Sequence, residues 1–445
     1  MNSTNVQTRA IVRDGERYRR HMRAVIGISV AWLSVASLYA CGGDVLLVHQ
    51  QGPGPDGGDV DGGGVSPDAD RPDTSPIPTN TNYPAFKVDA PQIVTGGGPQ
   101  LQNAEMVPVF FSNDDPTFDG KILDFLGKLP TSAYWKPPTE EYGVGLPSLK
   151  PEVKLLEAAP GTTTDMEIQA WLDGEITAKS LPAPNANTLY LLYYPTGTTI
   201  SEGQGQSCKS FGGYHNSITH NGQKVAYAVM PRCANFGSLT GINVVTGTSS
   251  HEILEAVTDP YPQQDPGYAQ VDANHIVWEF ILGGGENGDM CAQFKNAFYK
   301  PSDLGYSAQR CWSNKAAKAG HNPCLPDEGT PYFNAMPVLT DTVLIGGQFN
   351  TKAVKIPVGQ SKTIELDLFS DGPTAPWYVD AVDTASQQGQ PANLSFTFDK
   401  QVGQNGDKLM LTIKVLKASQ FNAEGFILTS SGGTQENLWI GLVSN

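Results

Sequence analysis

Positive charge is what this sequence has least of. Lys and Arg total 29 against 45 Asp and Glu, a formal net charge of -16. Arg9, Arg13, Arg17, Arg19, Arg20 and Arg23 all lie in residues 1–40, and without that segment 23 bases face 43 acids. Phosphate contacts need clustered Lys and Arg, so a nucleic-acid partner is excluded. Long hydrophobic runs are also missing. The longest, Ala24 to Leu38, is about 15 residues, short of the roughly 20 that span a bilayer. There is no GxSxG elbow and no phosphate-binding Gly-Lys-Ser/Thr loop, which removes serine-hydrolase and nucleotide readings. Cysteine is sparse, six in 445 residues, with none after Cys324.

What is present is enough hydrophobic residue, 39%, for a core, in a chain long enough for two or three domains. The 48 Gly and 33 Pro favour turns, strands and linkers over a helical bundle. The basic flank, short apolar core and small residues of 1–40 read as a secretory signal. Met22-Arg23 begins a signal of normal length by itself, so the true start falls there in one reading. Leu38-Tyr39-Ala40-Cys41-Gly42 resembles a bacterial lipobox, which predicts a lipid on Cys41 after cleavage. The alternative is an ordinary signal that leaves Cys41 a spare thiol. Residues 41–82 are Gly-, Pro- and Asp-rich and form an acidic tether. Asp59-Val60-Asp61-Gly62 within it lacks the later Glu of a calcium loop.

Residues 83–330 interleave helix and strand signals and read as one α+β domain. Val107–Phe111, Leu189–Tyr194 and Val225–Met230 are strand-like. Ile122, Leu123, Phe125, Leu126 and Leu129 have helical spacing, and Thr164-x-x-Glu167 is a capping box. Residues 335–445 alternate apolar and polar (Ile364, Leu366, Leu368; Leu409, Leu411, Ile413, Val415), which predicts an all-β immunoglobulin-like sandwich without its disulfide. Export places the cysteines in an oxidising compartment, so disulfides are expected rather than zinc-thiolate sites. Cys208–Cys233 brackets a hairpin-like segment and Cys291–Cys324 the end of the domain, leaving Cys311 odd.

The chemistry concentrates in Gly247 to Pro260. With Thr248 or Ser249 as cap and Pro260 as stop, His251 and Glu255 lie one helical turn apart on one face. That is the spacing by which HExxH presents two ligands to zinc, with the intervening Glu as general base. Here the second ligand is Glu255 and the base is Glu252. A third ligand must come from elsewhere. The Gly283–Cys291 loop offers Glu286 and Asp289, one to ligate the metal and the other to fix the second ring nitrogen of His251. Asp259, His275, Glu279 and His215 are further candidates, His215 more simply a structural residue beside the first disulfide. A rival account makes Ser249-x-x-Glu252 a capping box and removes the chemistry from Glu252.

His251-Glu252-x-x-Glu255-x-x-Thr258-Asp259-Pro260 followed by Glu286-x-x-Asp289-x-Cys291 resembles the pattern of the plant EXORDIUM (phosphate-induced) secreted proteins. Exported bacterial proteins share that pattern. Gly213-Tyr214-His215, Tyr227–Cys233 and Trp312-Ser313-Asn314 match as well, and the likeness spans roughly residues 95–325. It implies a secreted domain with a zincin-like helix. Asp259 stands where the plant proteins carry Asn.

The expectation is therefore an exported, lipid-anchored protein of the cell envelope, in the outer membrane or at the cell surface. It joins an α+β zincin-like domain to a β-sandwich. Its expected activity is zinc-dependent peptide hydrolysis; the alternative is a non-catalytic envelope binding protein with a structural or vestigial metal site. The partners this predicts are a membrane, through the lipid, and a peptide or cell-envelope polymer.

Overall fold

The computed structural model describes residues 80–419 and 421–445. The expected signal, the lipidated Cys41 and nearly all of the tether lie outside them. The tether's last residues are fixed: Asn405 donates from Nδ2 to the backbone oxygen of Asn82 at 2.8 Å. The folded region therefore begins slightly before residue 83. Among the described residues no helix is long and apolar enough to cross a membrane.

The chain is mixed α/β and mostly strand. Its first half is built on a mixed sheet of β1 (Glu105–Phe110), β2 (Ser148–Leu149), β3 (Val153–Lys154), β4 (Thr188–Tyr194), β5 (Tyr214–His220) and β6 (Gln223–Pro231). The order is β2–β1–β4–β6–β5, with β3 also on β1. β1, β4 and β6 run parallel, and β5 returns antiparallel at the edge. The two-residue Asn221-Gly222 turn makes that last hairpin. Parallel strands are covered on both faces and so carry near-continuous apolar sequence. Leu189, Leu191, Tyr193, Ala226, Ala228 and Met230 face one layer; Tyr190, Leu192, Tyr194, Val225, Tyr227 and Val229 face the other.

The first layer holds α1 (Pro116–Lys128) and α3 (Ile242–Thr258); the second holds α2 (Asp165–Ala178). Asp115 caps α1 by accepting from Thr117 N at 2.9 Å. The capping box expected at Thr164 and Glu167 opens α2 with both reciprocal bonds.

The start of α3 differs from the sequence expectation. The helix begins at Ile242, so Thr248 and Ser249 are interior residues, not caps. Gly, Ser and Thr are weak helix formers in isolation. Here burial overrides propensity: every residue from Val244 to Thr258 is buried, and small side chains let the helix be covered on all sides. Ser249 meets Tyr193 OH at 3.2 Å, and Ser250 donates to Gly247 O at 2.7 Å. The capping-box account of Glu252 falls with the cap.

After α3 come α4 (Val277–Leu282) and α5 (Asp289–Ala292). Disulfides join Cys208 to Cys233 and Cys291 to Cys324, as expected, and Cys311 is a buried thiol.

The second half is a β-sandwich. One sheet orders β7 (Phe333–Pro337), β10 (Ser361–Ser370), β14 (Lys408–Val415) and β12 (Leu394–Phe398). The other runs β8 (Asp341–Ile345), β9 (Phe349–Lys355), β16 (Gln435–Ser444), β15 (Ala423–Gly432), β11 (Trp377–Asp383) and β13 (Val402–Gly403). With β8, β9 and β13 set aside, the other seven strands lettered along the chain read A-B-E-D in the first sheet and G-F-C in the second, the strand order of immunoglobulin-type sandwiches. The sandwich core takes in part of the first half, while the two faces of the main sheet keep cores of their own. Trp278 of α4 lies edge-on to Trp312 at 5.8 Å and to Trp439 of β16 at 5.6 Å.

Candidate metal centre

Three elements converge on the middle of α3. The helix itself presents His251, Glu252 and Glu255, one turn of a fully buried segment. The edge strand β5 brings His215 over that turn. It can lie so close because Gly213 has no side chain: a Cβ there would fall 2.4 Å from Thr248 Cγ2. The loop of residues 283–288 folds back from α4 onto the same turn. A Cβ on Gly288 would fall 2.7 Å from both Glu255 Oε1 and His251 Nδ1, so this position admits only glycine without displacement. Disulfide-bonded Cys291 anchors the loop's far end, and Asn287 O accepts from Trp312 N at 2.7 Å.

Two groups of ligand atoms result, sharing Glu255. In the first, His251 Nε2 is 3.1 Å from Glu255 Oε1 and 3.7 Å from Asp289 Oδ1. In the second, His215 Nδ1 is 3.6 Å from both Glu252 Oε2 and Glu255 Oε2. Within each group the donor atoms lie within 4.8 Å of one another. Ligands at the usual zinc distances in a tetrahedron are separated by about 3.4 Å. Both sets of spacings match that value, so the residues fit a divalent ion.

The tautomer of His251 is set from outside. Gln309 donates from Nε2 to Gly288 O at 2.8 Å, which turns its Oε1 toward His251 Nδ1 at 3.0 Å. Nδ1 therefore donates, and Nε2 is the nitrogen turned toward Glu255 and Asp289. Hydrogen bonds of this kind, orienting a ligand from behind, are usual at metal sites.

Five carboxylates, Glu252, Glu255, Asp259, Glu286 and Asp289, crowd two imidazoles in this volume. Among the described residues, Glu255, Asp259, Glu286 and Asp289 make no ion pair with Lys or Arg. Burial pushes the Asp289 carboxyl well above the usual range; the nearby Glu255 adds to this, and His251 opposes it. Burial does the same at Glu286, against the pull of His215. Asp259 is raised, chiefly by burial, although Gly267 N donates to its Oδ1 at 2.6 Å. At Glu255 burial is outweighed by His251, and its carboxyl lies below the ordinary value. Burial would lower His215, but Glu286, Glu252 and Glu255 hold it well above its ordinary value. A divalent cation would relieve this excess of negative charge.

Several expectations change in detail. Glu286 does not join His251: it lies with its Oε1 3.4 Å from His215 Nε2. Asp289 faces Nε2 of His251, and it is Gln309, not a carboxylate, that holds the other nitrogen. His215 belongs to the cluster and is not simply a structural neighbour of the Cys208–Cys233 link. The Gly212-Gly213 pair before it is the sequence signal that could have placed it, since glycine in a strand marks close approach of another element. No pattern in the sequence marks Gln309. Asp259 borders the cluster through its backbone oxygen, 3.2 Å from His215 Nε2. Glu279 accepts from Val271 N at 3.0 Å, a layer behind the loop. His275 lies elsewhere, 3.0 Å from Asp272 and 3.8 Å from Asp89.

No family model and no curated protein matches the chain. Among solved structures, the titin M3 domain is similar over 26% of this chain and 94% of its own, at 13% identity and a TM-score of 0.16. A chimeric titin Z1Z2 covers 26% of this chain and 91% of its own at 14% identity, with a TM-score of 0.17. A Bacteroides ovatus GH5 xyloglucanase covers 21% and 17% at 14% identity, with a TM-score of 0.14. Scores this low carry no argument about fold or activity.

Proposed function

We propose that this protein is an exported, lipid-anchored hydrolase of the cell envelope that cleaves peptide bonds with a zinc ion held by His251, Glu255 and Asp289. The observation that carries the reading is the grouping of His251 Nε2, Glu255 Oε1 and Asp289 Oδ1 around one turn of α3. Glu252, next in sequence to His251 and not one of the three ligands, is the group this reading assigns to proton transfer. When bound, zinc supplies a Lewis acid that lowers the pKa of its water. Glu252 takes the proton from the attacking water and returns it to the leaving amine nitrogen. Gln309 keeps His251 in the ligating tautomer. The zincin-like character of the domain, the EXORDIUM likeness, the anchor on Cys41 and an outer-membrane or surface location belong to this same reading. The substrate it favours is a peptide or a cell-envelope polymer.

The second reading, a non-catalytic envelope binding protein with a structural metal, draws on burial. His251 and Glu252 have no exposed surface, and structural metal sites are closed where catalytic ones keep an open position. Elemental analysis and a peptide-library assay separate the two. Glu255→Ala should lose the ion; Glu252→Gln should retain the ion at His251 and lose hydrolysis. If Glu252→Gln leaves every function intact, the binding-protein reading holds. Metal-free wild-type protein that stays inactive after zinc addition would falsify the metallohydrolase.

A further inference from the structure

His215 is not accounted for by a centre on His251. Its Nε2–H points at the backbone oxygen of Asp259, 3.2 Å away, with Glu286 Oε1 at 3.4 Å on the same side. Its other ring nitrogen, Nδ1, is turned to the helix. It faces Glu252 Oε2 and Glu255 Oε2, each at 3.6 Å. The separation is too long for a hydrogen bond and close to the ~3.4 Å between ligands of one tetrahedral ion. The three donor atoms are buried and lie within 4.8 Å of one another, so a cation could take the place of the proton that otherwise joins the imidazole to the carboxylates. The opposite side of Glu255 repeats the arrangement, with Nδ1 of His251 held by Gln309 and Nε2 turned toward Glu255 and Asp289. Glu255 thus turns one oxygen to each imidazole.

We propose a second divalent-cation site on His215 Nδ1, Glu252 Oε2 and Glu255 Oε2, with Glu255 bridging it to the ion on His251 and Asp289. One imidazole and two carboxylates form a donor set suited to zinc or manganese. The inference rests on the first centre of the proposed function. It makes Glu252 a ligand once both ions are present, so its free-base role belongs to the one-ion state.

The test is zinc stoichiometry of the full mature chain, stripped with chelator and reloaded with zinc alone. Wild type should bind two ions. His215→Gln and Glu252→Gln should each bind one, with the second binding event weakened at least tenfold and the first unchanged. Glu255→Ala should bind none, because both ions share that carboxylate; two independent sites would leave one. Using both His215→Gln and Glu252→Gln guards against one of them failing to fold. One ion in wild type overturns the second site and spares the first, showing that a proton fills the place beside His215. No ion in wild type overturns both. Two ions retained in His215→Gln also sinks the proposal.

Discussion

Gln309 stands 3.0 Å from Nδ1 of His251, and its orientation is fixed at its far end by the bond from its Nε2 to Gly288 O. One side chain thus sets the tautomer of a ligand and ties down the loop that covers it. Its backbone N donates to Ser250 Oγ at 2.8 Å, independently of the side chain. Gln309→Leu should therefore fold, but weaken zinc binding by about 10- to 100-fold, the usual cost of losing such a support. Competition with a zinc chelator measures this. Unchanged affinity would mean that His251 does not ligate through Nε2.

The disulfide between Cys291 and Cys324 sits two residues after Asp289 and holds the end of the loop that delivers it. Replacing both cysteines by Ala should lower stability by about 2–5 kcal/mol. It should also weaken metal binding, because the carboxylate of Asp289 gains freedom. Removing Cys208 and Cys233 instead loosens the start of β5, so its effect should fall on His215. Denaturant unfolding of the two double variants, each with and without zinc, compares them. Equal zinc-dependent stabilisation in wild type and the Cys291/Cys324 variant would refute the loop's role.

Much of the fold was legible in sequence because its signals are local. The apolar runs of β1, β4 and β6, the Thr164 capping box and the alternation from Ile364 to Val415 each depend on neighbouring residues. The helix bearing the site was legible at its end and misplaced at its start, since Gly247 to Ser250 are helical only because the surrounding layers bury them. His251 and Glu255 could be paired from their spacing. His215, Asp289 and Gln309 reach the site from three separate segments, and no periodicity encodes a contact between residues that far apart. The choice between Glu286 and Asp289 depended on which way the glycine loop turns, and that is set by the contact of Gly288 with the His251 ring.

Glu279 gives a pH dependence with a definite sign. Burial raises its carboxyl from 4.5 to about 7, partly offset by the bond from Val271 N. A carboxyl raised on folding holds its proton longer in the native state. Between about pH 4.5 and 7 the native protein binds more protons than the unfolded chain, so stability falls as pH rises through that window. Below it the contribution is fully restored. Glu279→Gln keeps an acceptor for Val271 N and removes the charge. It should leave stability unchanged near pH 4 and raise it at pH 8 by at most about 3 kcal/mol. Thermal unfolding at the two pH values decides; a variant less stable than wild type at pH 8 would show that the carboxylate has a cationic partner.

Trp278 makes the last prediction, about how the two halves unfold. It is 1% exposed, on the helix that leads into the glycine loop, and its ring meets Trp312 on one side and Trp439 of the sandwich on the other. Two domains joined by a linker would melt separately. Here one hydrophobic cluster runs from Trp312 through Trp278 to Trp439 and Phe369, so the end of the first half packs in the sandwich's own core and opening one exposes part of the other. Wild type should unfold in a single transition, with zinc release and tryptophan fluorescence following one curve. Trp278→Ala removes a fully buried indole and should cost about 3–5 kcal/mol. It should also separate the two probes, because the contact that couples the metal centre to the sandwich is gone. Two resolved transitions already present in wild type would show that the shared core does not couple the halves.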